Sequence, residues 1–230
     1  GEGTEKNIVM KTLKFSLASI VRLHPAILLM VLFLPGICTI AQAQNKVNSG
    51  TFLKIPANCY LLSAGDLVLK NGGNIDNSGT VMLKADLINQ GGSAIDIGEG
   101  SYVFNGSVQQ TMSGANRMGS LTINNSGGLI LNGNTTITNS LNLLSGKVTL
   151  GANNLFLEPS ALINGTLTAA AMIVATGDGE LQKSFNGPGS FLFPVGDNDD
   201  IPEYTPVLLN FTEGNFAAGN YAGVNLVNEP

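Results

Sequence analysis

Apolar residues recur along this chain in short alternating triplets, not in helical stripes. Leu67-Val68-Leu69, Val81-Met82-Leu83, Ile95-Asp96-Ile97, Leu121-Thr122-Ile123, Leu129-Ile130-Leu131, Leu141-Asn142-Leu143, Val148-Thr149-Leu150 and Leu155-Phe156-Leu157 share this form. In each, the outer two residues lie on one face of an extended chain, the period-two pattern of a half-buried strand. Beyond the N-terminal segment, no stretch sustains apolar positions at i, i+3, i+4 and i+7 over three turns, so no helix is expected. Between the triplets stand Asn71-Gly72-Gly73, Asn77-Ser78-Gly79, Asn89-Gln90-Gly91-Gly92, Ser126-Gly127-Gly128, Asn132-Gly133 and Ser145-Gly146. Glycine and asparagine tolerate positive φ, so these are turns with a stereochemical reason.

Many strands of three to five residues suit either a sandwich or a coiled solenoid. The strands are short for a sandwich. Asn and Thr recur where stacked rungs would form side-chain ladders, and the spacing continues from about Val47 to Val174. The expected fold is therefore all-β: a β-solenoid, right-handed β-helix-like, with a coil of about 20 residues over 44–175. Composition shifts near Ala175 towards Phe, Pro and carboxylates, and the strand patterns lengthen in Ser190–Val195 and Tyr204–Phe211. Residues 176–230 read as the start of a second, sandwich-like β domain that is cut short.

The N-terminal segment differs from all of this. Met10 opens a stretch with Lys11, Lys14 and Arg22, an apolar run from Ala26 to Leu34, and then Ala41-Gln42-Ala43. That order matches a secretory signal peptide over Met10–Ala43, cleaved before Gln44, with residues 1–9 as an extension. Pro35 and Gly36 stop the run short of the ~20 apolar residues that a membrane span needs. The expected mature chain is therefore secreted or displayed at the cell surface, with no membrane span.

Composition narrows the chemistry. The one histidine, His24, lies inside the expected leader, so the mature chain has no imidazole for a base, a metal or a Ser/His pair. Cys59 would be its sole thiol, more fitting as a small apolar residue than as a nucleophile. With a net charge of -5 and no basic stripe, nucleic acid is not an expected partner.

Some residues carry a resemblance. Tyr102-Val103-Phe104-Asn105-Gly106, Leu121-Thr122-Ile123-Asn124-Asn125-Ser126 and Leu141-Asn142-Leu143-Leu144-Ser145-Gly146 resemble a repeat of large secreted surface proteins of Bacteroidetes. Phe193-Pro194-Val195-Gly196-Asp197 with Tyr204-Thr205-Pro206 is similar to the module that commonly follows it. Asn77–Gly92 also resembles haemagglutinin-type β-helix repeats. The resemblance implies an adhesin-like β-solenoid of the kind carried by type nine secretion, although no C-terminal sorting domain is recognisable.

Three polar features are candidates for chemistry. Asp197, Asp199 and Glu203 supply alternating oxygens of the type that holds Ca²⁺, set against a plain solvated acidic loop; no other cofactor is implied. Asp96 with Glu99, or Asp178 with Glu180, are acid pairs a glycoside hydrolase would need. Arg117, the one arginine after the leader, is thin provision for a polysaccharide lyase, and with 6% aromatic residues and no Trp there are few platforms for sugar stacking. The functional expectation is a structural or adhesive protein presenting an Asn/Thr/Ser-rich face to glycans or other surface proteins. It would be able to self-associate as a homo-oligomer or end-to-end filament. The alternative is a carbohydrate-active β-helix enzyme.

Overall fold

A computed structural model describes residues 39–41, 45–92 and 95–227. The chain winds as a three-sided coil. The first turn contributes β1 (Thr39–Ala41), β2 (Asn45–Val47) and β3 (Phe52–Ile55), one strand per side. The second contributes β4 (Tyr60–Ser63), β5 (Leu67–Leu69) and β6 (Asn74–Asn77), and the third β7 (Thr80–Leu83), β8 (Leu87–Asn89) and β9 (Ile95–Asp96). β10 (Ser101–Phe104) and β11 (Gln110–Ser113) follow. β12 (Asn116–Asn124) then runs through the corner, serving the third side of one coil and the first side of the next. β13 (Leu129–Asn132) precedes β14 (Thr135–Ser145), which does the same. β15 (Val148–Thr149), β16 (Leu155–Leu157), β17 (Leu162–Gly165), β18 (Ile173–Val174) and β19 (Leu181–Lys183) continue the winding.

Stacking is parallel and in register. Leu67 pairs with Leu87, Ser120 with Ser140 and Thr135 with Leu155, each 20 residues on, close to the expected coil of about 20; other coils are longer, as where Leu155 pairs with Leu181, 26 residues on. Each apolar triplet falls on a strand or at its edge, and no helix occurs among the described residues. The β-solenoid expected from the pattern is therefore the observed fold. Inward columns form the core: on the first side Val81, Tyr102, Leu121 and Leu141 succeed one another, and beside them Leu83, Phe104, Ile123 and Leu143, all fully buried. Tyr102 keeps its hydroxyl in this column by donating to the Ile97 carbonyl at 2.7 Å.

Beyond residue 175 the ladders first continue, with β19 on β16 and β21 (Val195–Asp197) on β18, both parallel. Direction then reverses. β20 (Gly189–Phe193) forms an antiparallel ribbon with β23 (Val207–Phe211), β22 (Glu203–Tyr204) runs antiparallel to β21, and β24 (Ala222–Val224) antiparallel to β19. The expected leader lies outside the described residues except at Thr39–Ala41, which pair in parallel with β4; Ala43 and Gln44 of the expected cleavage site lie outside.

The corners explain the Asn and Gly turns. Asn77, Asn89 and Asn125 turn inward and are buried, each accepting from the amide two residues on (Gly79, Gly91 and Gly127, all 2.9 Å). Their Nδ2 atoms donate to carbonyls of a neighbouring coil, at Ser101 (3.2 Å), Ala115 (2.8 Å) and Val108 (2.6 Å). Buried amides of this kind are stabilising only when satisfied, and these are. Gly146 has φ 93° and sits so close to the corner of the preceding coil that a Cβ would collide with the Asn125 carbonyl. Gly151 also has positive φ (59°) but faces open space. Gly146→Ala is expected to lower stability by roughly 3 kcal/mol and Gly151→Ala by about 1 kcal/mol, read by urea unfolding; equal losses would mean that coil contact at the corner does not matter.

Candidate functional site

The third side carries two groups of ion pairs. On its outer surface Lys54 Nζ meets Asp76 Oδ2 at 2.6 Å, from strands in direct register. Further along, Arg117 on β12 is in register with Asp96 on β9 and with Thr136 on β14. Its Nη1 donates to Asp96 Oδ2 (2.7 Å) and Glu99 Oε1 (2.8 Å), while Nε and Nη2 donate to Glu158 Oε1 (3.2 and 3.1 Å). Thr138 donates its hydroxyl to the other oxygen of Glu99. Three carboxylates thus share one guanidinium. The hydrogen bond that Arg117 donates to Glu99, and then the charges of Glu158 and Asp96, hold Arg117 above its already high pKa against partial burial.

The sequence-predicted acids therefore divide. Asp96 and Glu99 are brought together, but as ligands of Arg117. Asp178 is exposed, whereas Glu180 accepts from Gln182 Nε2 at 2.8 Å. Asp197 and Glu203 stand opposite each other on β21 and β22, and the Asp199 amide donates to Asp197 Oδ1 at 3.3 Å. Among the described residues, no group of three or more His, Cys, Asp or Glu is placed to hold a metal ion. Asn198 in this loop accepts from Lys147 Nζ at 2.5 Å across a cleft of about 250 Å³. Cys59 is half-buried against the apolar core.

The first side presents a polar ladder. Thr122, Asn142 and Asn164 succeed one another in register, and Nδ2 of Asn142 donates to Thr122 Oγ1 (3.1 Å) while Nδ2 of Asn164 donates to Asn142 Oδ1 (2.9 Å). Beside them Ser140 and Ser120 are joined at 3.0 Å. Among the earlier coils the same outward column is apolar, with Leu62, Met82 and Val103. On this side the polar column is therefore confined to the later coils.

Lys183 escapes a reading by residue type. It occupies an inward position, in the column Met118, Ile137, Leu157, Lys183, and is 5% exposed. Its Nζ donates to the carbonyls of Glu158 (2.7 Å), Pro159 (2.9 Å) and Ala161 (2.8 Å) and lies 5.3 Å from the Phe191 ring centroid. The alternation Leu181-Gln182-Lys183 was the available signal, since it puts residues 181 and 183 on one face.

Comparison with known protein families, curated proteins and solved structures finds no match.

Two expected outcomes follow from these charges. Arg117→Met should cost about 1 kcal/mol in low salt and less in 1 M NaCl, because the cluster is partly solvated. An equal cost at both salt levels would reassign Arg117 to packing. Burial pulls the Lys183 ammonium down to about 8 from 10.5. The unfolded chain then holds the extra proton between those two values, so stability should rise with pH across that window, by up to roughly 3 kcal/mol. Below pH 8 both states are protonated and this contribution is constant. Thermal melts of the wild type and Lys183→Met from pH 7 to 10.5 check this: the wild type should gain relative to the variant, and parallel curves would refute it.

Proposed function

We propose that this chain is an exported β-solenoid with a structural or adhesive role, its later coils presenting a polar face to glycans or neighbouring chains. The observation that carries this reading is the polar column of Ser120, Thr122, Ser140, Asn142 and Asn164, held in register by side-chain hydrogen bonds, in which Ser120 and Thr122 are buried and Ser140, Asn142 and Asn164 reach solvent. Such a ladder fixes amide and hydroxyl groups at the strand spacing, ~4.8 Å, on a surface with little conformational entropy left to lose on contact. A stacked coil also needs no disulfide, in keeping with a chain that has Cys59 as the free thiol among its described residues. The resemblance to secreted surface repeats points the same way.

The test joins a glycan array to a reducing-sugar assay on the same polysaccharides. The expected result is retention on at least one glycan class with no release of reducing ends, and roughly tenfold weaker retention for the double variant Asn142→Ala/Asn164→Ala, about 1.4 kcal/mol. Release of reducing ends above the buffer rate would instead favour the carbohydrate-active enzyme. Undiminished retention by the double variant would remove the ladder from the contact.

A further inference from the structure

Few aromatic residues are present, yet the fold collects them. Phe156 projects from the outer side of β16, and the reversal of direction that lays β24 on β19 brings Tyr221 against it, ring centroids 6.3 Å apart and edge to face. Phe216 packs edge to face on Phe211 at 5.6 Å, and Phe211 in turn on Phe185 at 4.9 Å. Between Phe156 and Phe216 lies a cleft of about 570 Å³, whose walls also carry Glu158, Ser184, Asn186 and Asn220. This size falls in the range of small-ligand clefts.

We propose that this cleft binds an uncharged pyranose unit of a glycan, its apolar face on the Phe156 ring and its hydroxyls on Glu158 and Asn186. The chemistry of the walls selects that class. Phenyl rings match the C–H face of a pyranose, while a carboxylate and an amide match hydroxyl donors and acceptors. A purely apolar ligand would strand those polar groups. An acidic sugar would find no cation on the walls, because no Lys, Arg or His lines the cleft among the described residues and Arg117 is already engaged with Glu158. The walls are also set in place beforehand. Glu158 is fixed by Arg117, and Asn220 is fixed by Phe185, accepting from its amide at 3.1 Å and donating to its carbonyl at 2.8 Å. This cleft lies apart from the polar ladder, on a different side of the coil, and its assignment rests on the adhesive reading above.

Titration calorimetry with cellotetraose, xylotetraose, mannotetraose and tetragalacturonate tests it. At least one neutral tetramer should bind and the acidic one should not. Phe156→Leu should weaken binding at least tenfold, Phe156→Tyr should retain it, and Asn142→Ala/Asn164→Ala should leave it unchanged; a thermal melt of each variant verifies folding. Binding that survives Phe156→Leu, or that is lost only in the ladder variant, overturns the cleft while leaving an adhesive protein. Tetragalacturonate binding at comparable strength overturns the assignment to uncharged sugars. Absence of binding to every tetramer and to the array overturns both readings.

Discussion

Through the winding up to β19, strands of successive coils pair in parallel and largely in register, and most of what is distinctive follows from that pairing. Parallel strands lie ~4.8 Å apart, so successive corners pass over one another at nearly the same distance. Side chains have little room there. Gly146 meets the Asn125 carbonyl, and Gly133 lies against the Gly114 backbone. The same spacing aligns equivalent side chains into columns, so one residue's environment is largely its counterparts above and below. Leu121 is buried between Tyr102 and Leu141. A polar residue in an inward column must bring its own solution, as Tyr102 does through the Ile97 carbonyl and Lys183 through three.

The architecture was legible because this constraint writes itself locally. A triplet such as Leu141-Asn142-Leu143 states its buried face in three letters, and Asn125-Ser126-Gly127 states its corner in three more. Less legible were the places where local rules bend. β12 and β14 run through a corner as continuous strands, with register shifts at Met118/Ser120 and Ile123/Asn124. The second shift skips Leu144, which is 60% exposed in spite of its apolar character. The charged cluster was half visible: the scarcity of arginine drew attention to Arg117, but Glu158 is 41 residues away and reaches it only through the winding. The aromatic cleft was invisible for a related reason. Phe156 and Tyr221 meet because β24 runs antiparallel on β19, and nothing in either residue's neighbours announces a change of direction.

Polar residues in this chain do two kinds of structural work that composition alone merges into one. At corners they are buried and satisfy backbone groups of adjacent coils, as Asn77 and Asn89 do. On the outer faces they bond to their own kind, as Asn142 and Asn164 do, and leave further capacity towards solvent. An asparagine-rich chain is therefore not a uniformly sticky one. Position within the coil decides which amides serve the fold and which are available to a partner.

The direction of the hydrogen bonds has a mechanical corollary. They lie along the axis of the winding, so the coil interfaces carry an axial tension in series and the weakest of them yields first. Such a rod would yield by peeling off turns in sequence, each step releasing a loop of about 20 residues. Shear across the strands would have to break a whole side at once. The antiparallel strands at the C-terminal end, β22 and β24, change the geometry of the last interfaces, and with it where the first turn comes away.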